Sequence, residues 1–485
     1  MMARFLSLVF ANNQEMVLFW EYFIRILIVL GILLVIISEN RHPVKTLAWC
    51  MILIFAPVAG VILYILFGMD NRHRRLIEPE EYDKLKEMTD RSNAGSIVKS
   101  FQGQHKPLQE MLFKANRALM FCGNDMEVFT EFSLMADALI KDIKDARHHV
   151  HMLFFKFEDD AAGRRIAEAL MSKAGEGVEV RLIYDAAGNL AVPRGFYREM
   201  RQKGVQIQAF VRIVLPVLSR DYNSRNHRKI VVVDGKIGYV GGMNIAQRYA
   251  DGLDWGIWRD THMRLVGPSV SELQTTFLTD WKFASGVMPD LESLYPEIPI
   301  CGDKMVQIAS GGPMGRWNIM MQAYMSLVER SRSYIYIQSP YFIPPDPILK
   351  ALQNAALGGV DVRIMIPYRG DKGILPPWAS RSYVQDALDA GISIYFYRKG
   401  YMHAKTIVCD DALFGIGSTN IDFRGFGQDF EITAFVYDRE TAVRQKEVFM
   451  RDVEDSECID AVLWKKRPKR YRARESVARM FSPLL

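Results

Sequence analysis

The chain carries the same five-residue pattern twice, and no other feature constrains its fold as strongly. The pattern is His, any residue, Lys, four residues, Asp, six residues, Gly, two residues and Asn. One copy occupies residues 227–244 and the other residues 403–420. Five identities at identical offsets are not expected by chance, so the sequence predicts an internal repeat with one copy of the pattern in each half.

The residue types of the pattern indicate chemistry on a phosphate. An apolar, β-branched run such as 230–233 follows the lysine, and side chains two residues apart on a strand point to the same face. A neutral imidazole is a competent nucleophile toward phosphorus, and Lys and Asn side chains stabilise charge on phosphoryl oxygens. The predicted catalytic residues are His227, Lys229, His403 and Lys405, and the predicted phosphate-binding residues are Asn244, Ser418 and Asn420.

The aspartate of each copy has two possible roles. Asp234 and Asp410 lie five residues past the lysine. They are candidate catalytic residues, or they end the strand and fix the turn that follows. The offset favours the structural role and leaves both open.

The duplicated pattern resembles the signature of the phospholipase D superfamily, and the similarity covers most of the chain. Residues 47–49, Pro57, Gly60 and 64–68 also look like the amino-terminal region of bacterial cardiolipin synthases. The resemblance implies an α/β fold with two phospholipase D-like lobes and one active site between them. It further implies phosphatidyl transfer between two phosphatidylglycerol molecules, which gives cardiolipin and glycerol through a phosphohistidine.

The resemblance also implies that the two histidines divide the reaction. We assign attack on phosphorus to His227 and acid–base duty to His403, and the near-symmetric motifs leave the reverse assignment open.

Two carboxylates are candidates for orienting the histidine rings, because a nucleophilic histidine needs an acceptor on its other nitrogen. Glu431 lies eleven residues past Asn420, at a spacing similar to the family's. Asp260 lies sixteen residues past Asn244 and departs from that spacing by five. The alternative for both carboxylates is a surface ion pair with a neighbouring arginine.

Composition argues against several other classes of protein. Lys and Arg number 61 against 56 Asp and Glu, and the net charge of +5 is too modest for a dedicated nucleic-acid-binding protein. The five cysteines are scattered without metal-ligand spacing, which indicates a reducing compartment and no structural disulfide or zinc site. Lys229 and Lys405 already supply the positive charge that a metal would bring. We expect no metal and no cofactor.

The amino-terminal residues 1–70 predict a membrane anchor. The run 46–69 contains no charged residue and is long enough to span a bilayer. An earlier apolar run, 26–37, spans only if it extends back through Arg25 and Glu21. The favoured interpretation is a hairpin of two transmembrane helices, and the alternative is one spanning helix plus a half-inserted segment.

The flanking charges predict an orientation. Five Lys or Arg residues follow the second apolar run within residues 72–86, against two, Arg41 and Lys45, in the connecting loop. Positive residues favour the cytoplasmic side. The sequence therefore predicts a multi-pass protein of the inner (plasma) membrane with its catalytic part in the cytoplasm.

Strands and helices alternate twice in the remaining chain. An apolar strand, a helix, a glycine break and a second strand occur in the first half and return in the same order in the second. This order indicates a mixed β-sheet flanked by helices in each lobe. The predicted divisions are 71–115 as a linker, 116–290 as lobe 1, 291–455 as lobe 2 and 456–485 as a basic tail.

Two apolar loops and the tail suggest contact with lipid. Residues 214–218 and 373–378 lie ahead of the two motifs, and either they dip into the bilayer or they pack on each other. Eight Lys and Arg residues crowd into 465–479. The tail is expected to lie on an anionic membrane, with nucleic-acid contact or a solvated tail as the alternative.

The sequence leaves rival functions open. A hydrolytic phospholipase D or a phosphatidylserine synthase would differ only in the acceptor. A membrane-tethered nuclease fits less well, because the charge is modest and the loops are apolar. The expected partners are phospholipid substrates and the membrane, with no nucleic acid.

Overall fold

The computed structural model describes residues 2–38, 43–68, 74–211, 223–315, 317–371 and 373–485. The chain divides into two compact units. One contains the amino-terminal residues to 71, and the other contains residues 72–212 and 224–485, with both motifs.

The amino-terminal unit is helical. Helix α1 (Met2–Ser38) is followed by α2 (Pro43–Phe55), α3 (Pro57–Leu63) and a π-helical turn, Tyr64–Gly68. Arg25 and Glu21 form an ion pair on α1, as expected for a helix that continues through them. Ile36, Leu53 and Tyr64 are buried together, so α1 packs against the segments that follow it.

The second apolar run is not one continuous helix. Ala56 leaves helical geometry at φ −138° and ψ 68°, and α3 begins with Pro57, which has no N–H to donate to the preceding turn. In the described residues, the one helix long and apolar enough to cross a membrane is Met16–Ser38, with a mean hydropathy of 2.4. The hairpin of two spanning helices is therefore not confirmed.

In the described residues, the second unit is built on one long sheet of fifteen strands, in the order β17-β12-β11-β10-β14-β15-β16-β9-β1-β8-β6-β5-β2-β3-β4. A separate pair joins β7 to β13. The strands are β1 (Met120–Phe129), β2 (His149–Phe154), β3 (Glu179–Asp185), β4 (Gln206–Phe210), β5 (Ile230–Val233), β6 (Ile237–Gly241), β7 (Ile257–Arg259), β8 (His262–Val266), β9 (Lys304–Gly311), β10 (Tyr334–Gln338), β11 (Asp361–Pro367), β12 (Ser393–Tyr397), β13 (Gly400–Met402), β14 (Thr406–Cys409), β15 (Leu413–Gly417), β16 (Glu431–Val436) and β17 (Ser456–Cys458).

The order of the sheet displays the internal repeat. In lobe 1, β2, β3 and β4 are parallel and β5, β6 and β8 are antiparallel. In lobe 2, β10, β11 and β12 are parallel and β14, β15 and β16 are antiparallel. The two halves meet where β1 pairs with β9. The expected mixed sheet is present in each lobe, and hydrogen bonds join the two sheets into one.

Helices cover both faces of this sheet. They are α4 (Pro79–Ser92), α5 (Lys106–Asn116), α6 (Phe132–Asp145), α7 (Ala161–Gly175), α8 (Arg194–Gln202), α9 (Arg248–Asp251), α10 (Val270–Ser285), α11 (Ile319–Arg330), α12 (Asp346–Leu357), α13 (Leu375–Leu388), α14 (Phe423–Gly427), α15 (Arg439–Glu454), α16 (Ala461–Lys465) and α17 (Lys469–Arg479). Side chains of α10 and α15 enter one core shared by both lobes. Helices α6–α8 and α11–α13 fill a separate core in each lobe.

The predicted linker is part of the folded unit. Leu85 of α4 and Leu108 and Leu112 of α5 are fully buried. Lys86 of α4 donates to Glu272 of α10 at 2.6 Å, and both side chains are almost fully buried. Residues 74–116 therefore form a structural layer of the second unit.

The basic tail is helical and packs on lobe 2. Arg467 donates through both terminal nitrogens to Glu475 at 2.9 Å, and Glu475 is buried. Arg479 pairs with Asp386 of α13 at 2.8 Å. Two of the tail's arginines, Arg467 and Arg479, thus form ion pairs within the protein. Contact of its exposed cations with a membrane stays a prediction.

The apolar loops give a mixed outcome. Residues 214–218 lie outside the described residues. The segment 373–378 is not a loop throughout, because α13 begins at Leu375. The Arg474 guanidinium lies over Trp378, 4.8 Å from the centre of the tryptophan ring. Ile374, in contrast, is 60% exposed. Trp378 thus contacts the tail, which neither alternative predicted. Packing of the two loops on each other involves residues outside the described ones, and contact with lipid stays a prediction for Ile374.

We expect Arg467→Leu to lower the unfolding free energy by about 2–3 kcal/mol, because it leaves the Glu475 carboxylate buried without its charged partner. The matched control is Arg472→Leu, at an exposed position of the same tail. Thermal unfolding of the detergent-solubilised protein measures both. Equal midpoints for the two variants would show that the tail does not contribute to the fold in this way.

Candidate active site

The motif histidine of each lobe is held by a carboxylate of the other lobe. His227 Nδ1 lies 2.9 Å from Glu431 Oε1, and His403 Nδ1 lies 2.6 Å from Asp260 Oδ2. Both carboxylates are completely buried. Since each Nδ1 faces a carboxylate, each ring has only Nε2 left for a substrate. The structure thus brings together four residues that the sequence predicted.

Backbone hydrogen bonds set these pairs in place. His227 N–H donates to Phe430 O at 2.9 Å, and His403 N–H donates to Arg259 O at 2.7 Å. The acceptor in each case is the residue just before the carboxylate of the opposite lobe. Two short parallel pairings between the lobes extend these contacts. Strand β7 pairs with β13, and Asn226 forms a bridge with Phe430. The site therefore exists only where the lobes meet.

Asp260 lies five residues farther past its motif than Glu431 does because the segment that connects the motif to the carboxylate is longer in lobe 1. Gly241 of β6 pairs with His262, and Gly417 of β15 pairs with Thr433. In both lobes the carboxylate lies two residues before that partner, so Asp260 and Glu431 occupy equivalent positions. The five additional residues belong to the segment between Asn244 and β7, which includes α9.

The motif lysines are buried beside the histidines. Lys229 and Lys405 are at most 1% exposed, and each donates to the carbonyl of its own motif histidine. Burial lowers the pKa of Lys229 to about 7 and that of Lys405 to about 8, although the opposing carboxylates act in the other direction. Two ammonium groups on one cleft are suited to an anionic ligand.

Burial also determines the resting state of the histidines. It lowers the pKa of both His227 and His403 well below the usual value, and the two lysine charges add to this effect. Burial raises the pKa of Glu431 and of Asp260, against the pull of the lysines. An uncharged imidazole is therefore the resting form, as a nucleophile requires.

The two histidines differ in what surrounds Nδ1. His227 Nδ1 has two acceptors, Glu431 and the Ser418 carbonyl at 3.0 Å, so its proton resides on Nδ1 and Nε2 carries the lone pair. His403 Nδ1 also lies 2.9 Å from Lys405 Nζ and 3.3 Å from the Tyr249 hydroxyl. Asp260 Oδ2 at 2.6 Å is the acceptor for a proton on Nδ1, so His403 carries a second proton on Nε2 only as the imidazolium.

The motif aspartates lie away from the histidines and organise backbone. The strand β5 separates Asp234 from the site by about 13 Å of extended chain. Its carboxylate accepts the N–H groups of residues 147–149 at 2.8–2.9 Å, and Asp410 accepts those of residues 332–334 at 2.8–3.0 Å. Both residues have positive φ, near 52° and 53°. These contacts favour the structural role of Asp234 and Asp410 over the catalytic one, and both roles stay predictions.

The three predicted phosphate-binding residues differ in their surroundings. Asn244 accepts from Lys156 N–H and donates to the Tyr249 hydroxyl at 2.8 Å, so it supports a neighbour of His403. Ser418 donates to Glu431. Asn420 Oδ1 is buried and has no hydrogen-bond partner among the described residues. The contacts of Asn244 and Ser418 favour a positioning role, and phosphate binding stays a prediction for all three.

Sequence reasoning missed the second layer of this site. Tyr249 gave no signal, because it belongs to the short helix α9 outside the repeated pattern. Two buried ion pairs were also missed: Arg228 with Asp280 at 2.5 Å, and Arg259 with Asp452 at 2.8 Å. Asp280 lies on α10 and Asp452 on α15, so the sequence separations are too long for pattern reasoning. These pairs fix the residues that flank His227 and Asp260.

No candidate metal site accompanies the cleft in the part of the chain that the structure describes, where groups of three or more His, Cys, Asp or Glu in ligating arrangement are not found.

Comparisons with known proteins place this geometry in a family. A model described as "Cardiolipin synthase, PLD-like domain" matches residues 139–281 and 324–453, and one described as "Phospholipase_D-nuclease N-terminal" matches residues 26–68. The chain belongs to the cardiolipin synthase family of phospholipase D-like proteins. The major cardiolipin synthase of Bacillus subtilis is 36% identical over 472 residues, which cover 95% of this chain and 98% of that one.

Further relatives agree. The cardiolipin synthase of Halalkalibacterium halodurans is 38% identical over 93% of this chain and 91% of its own length. Among solved structures, the phosphatidylserine synthase of Haemophilus influenzae aligns with a TM-score of 0.60, over 79% of this chain and all of that one. At 14% identity this last similarity concerns the fold alone.

We expect Lys229→Met to raise the thermal unfolding midpoint below pH 7, because the folded protein then no longer holds a charged ammonium group in a buried site. In the wild type, the pKa of about 7 in the folded state lies below the usual 10.5. The wild type therefore regains stability as pH rises from 7 to 10.5, and the difference between the two proteins shrinks over that range. The control is Lys236→Met, at an exposed position. A difference that does not change with pH would contradict the lowered pKa.

Proposed function

We propose that the protein is a membrane-bound cardiolipin synthase, which joins two phosphatidylglycerol molecules into cardiolipin and releases glycerol. The observation that carries the proposal is the crossed arrangement, in which two carboxylate-held histidines from different lobes share a cleft with two buried lysines. Membership of the cardiolipin synthase family supports the choice of substrate. The relatives carry that activity in their names, and here it is a proposal.

The first step forms a covalent intermediate. The Nε2 lone pair of His227 attacks the phosphorus of phosphatidylglycerol, and the bond from phosphorus to the glycerol headgroup oxygen breaks. His403, protonated on both ring nitrogens once the anionic phosphodiester is bound, gives its Nε2 proton to that oxygen. Glycerol leaves uncharged, and His403 is left as a neutral imidazole with its remaining proton on Nδ1, toward Asp260. Lys229 and Lys405 stabilise the charge that develops on the phosphoryl oxygens, the largest contribution in transfers of this kind.

The second step returns the enzyme to its starting state. A free hydroxyl of the second phosphatidylglycerol loses its proton to His403 Nε2 and attacks phosphorus. The phosphorus–nitrogen bond to His227 breaks, and cardiolipin is formed. No water enters the balance, and glycerol is able to reverse the sequence by attacking the same intermediate.

The contacts of Nδ1 suit both roles. Among the described residues, His227 Nδ1 faces the acceptors Glu431 and Ser418 O, which leaves a lone pair on Nε2 for attack. Asp260 Oδ2 lies 2.6 Å from His403 Nδ1 and stabilises the imidazolium that donates from Nε2. Glu431 and Asp260 then act as positioning residues that stabilise the imidazolium formed on each ring.

Association with the membrane follows from the family and from the apolar helix in residues 16–38. The cytoplasmic orientation and a second pass through the inner membrane belong to the proposal, and the charges after residue 71 support the orientation.

The reaction is tested with phosphatidylglycerol labelled in its phosphatidyl part and membranes containing this chain. We expect labelled cardiolipin and stoichiometric glycerol, in the presence of EDTA as in its absence. His403→Asn should slow turnover by roughly 10²- to 10⁴-fold, the scale of acid–base catalysis, whereas His227→Asn lacks the nucleophile and should abolish turnover. Labelled phosphatidic acid in place of cardiolipin would indicate a hydrolytic phospholipase D, and a product formed only after addition of serine would indicate a phosphatidylserine synthase.

The covalent step has its own test. In His403→Asn, loss of the acid–base group should let a phosphatidyl adduct accumulate on His227, stable to base and labile to acid as phosphoramidates are. The matched control is His227→Asn, which should carry no label. Label on His403 in that control would reverse the roles. Label on neither variant, with turnover persisting in His227→Ala, would favour direct displacement.

A further inference from the structure

A cavity of about 560 Å³ lies against the first motif, between α4, α10 and the end of β9. Its wall includes Arg228 and Phe430, which adjoin His227 and Glu431 in sequence. The described residues of the wall include neither motif histidine and neither motif lysine. The cavity is therefore a neighbour of the catalytic cleft and not part of it.

The side chains of the motif explain the separation. The Arg228 guanidinium turns toward α10, where it donates to both oxygens of Asp280 at 2.5 and 2.7 Å. The His227 ring turns the other way, toward Glu431 and the Ser418 carbonyl. Two ligands, one in the cavity and one in the cleft, would contact different sides of the same segment.

Part of the cavity wall is apolar. Ile308, Ile319 and Phe430 are almost fully buried and form its inner side. Trp317, 46% exposed, and Met314 lie along the same wall. A volume of this size falls in the range of sites for small organic ligands, and these side chains suit a hydrocarbon chain.

The charged part of the wall is mostly cationic. Five of its residues are Lys or Arg and two are carboxylates: Arg74, Arg75, Lys86, Arg117 and Arg228, with Asp83 and Glu272. Lys86 is paired with Glu272, Arg117 with Asp83, and Arg228 with Asp280, which lies behind the wall. Five cations thus stand against three carboxylates. The excess is positive, so the charge complementarity is to an anion.

The position of the arginines in the chain indicates where such an anion would come from. Arg74 follows Gly68, the end of the apolar amino-terminal segment, by six residues. Cations directly after a membrane-associated segment lie in the layer of lipid headgroups, where each gains about 1 kcal/mol from anionic lipids.

We propose that this cavity binds an anionic phospholipid apart from the catalytic cleft, with the phosphate at Arg74 and Arg75 and one acyl chain against Trp317 and Phe430. The ligand is recognised by a phosphate joined to a hydrocarbon chain. A phosphate alone would contact only the cationic part of the wall, and a hydrocarbon chain alone would contact only the apolar part. The proposal concerns binding only and does not depend on the proposed transferase reaction.

The test uses the full chain in micelles of a nonionic detergent. The probe is phosphatidic acid with brominated acyl chains, because bromine quenches tryptophan fluorescence on contact and this lipid has no headgroup to transfer. We expect saturable quenching, and Trp317→Phe should remove the saturable component. Equal quenching in Trp317→Phe, or equal quenching by brominated phosphatidylcholine, would overturn the proposal.

Two further variants test the two walls. Arg75→Gln should raise the half-saturating concentration about fivefold, the equivalent of one cation near the headgroup. Its matched control is Arg91→Gln, an exposed arginine of α4 that does not line the cavity, and it should bind as the wild type does. Thr276→Phe, which fills the cavity from α10, should abolish the quenching of Trp317.

Two outcomes would contradict the assignment to a lipid. If Arg75→Gln and Arg91→Gln bind alike, the cationic wall takes no part. If inorganic phosphate displaces the lipid at equal concentration, the site recognises an anion and not a chain. Because no turnover is measured, either result leaves the proposed transferase reaction untouched, and failure of that reaction leaves this site untouched.

Discussion

The hydrogen bond between each motif histidine and a carboxylate of the opposite lobe is the interaction on which the site depends. Neither lobe contains a complete catalytic pair, because His227 needs Glu431 and His403 needs Asp260. The antiparallel pairing of β1 with β9 therefore affects the active site, because it fixes the register of one lobe against the other. A shift of the lobes by one residue would separate both pairs together.

The same arrangement places strong charges in a buried cleft. Two lysines and two carboxylates lie within a region where each is almost fully removed from water. Isolated, each would be costly, and a buried pair stabilises a fold only when its hydrogen bonds are complete. The cleft is instead suited to an incoming phosphate, which supplies the negative charge that the lowered pKa values of Lys229 and Lys405 indicate is lacking. The buried charges of the cleft lower the stability of the free protein, and a bound phosphate restores it.

The sequence predicted the two motifs and the two carboxylates that face the histidines. The two-residue spacing of His227 and Lys229, and the structural alternative for Asp234, follow from local geometry alone. Tyr249 could not be predicted, since its contact with His403 joins different lobes. The break at Ala56 was missed because an uncharged run was taken as one helix, although Pro57 interrupts its hydrogen bonding.

Differences between the repeats occur where the chemistry needs them. Ser418 donates to Glu431, but its counterpart is Gly242, where a Cβ would lie 2.1 Å from Asp260 Oδ1. The shorter aspartate thus occupies space that a side chain fills in the other lobe, and it approaches His403 beside Lys405 and Tyr249. Duplication within one chain therefore lets the surroundings of the two rings differ: Ser418 contacts Glu431 beside His227, whereas Lys405 and Tyr249 lie beside His403.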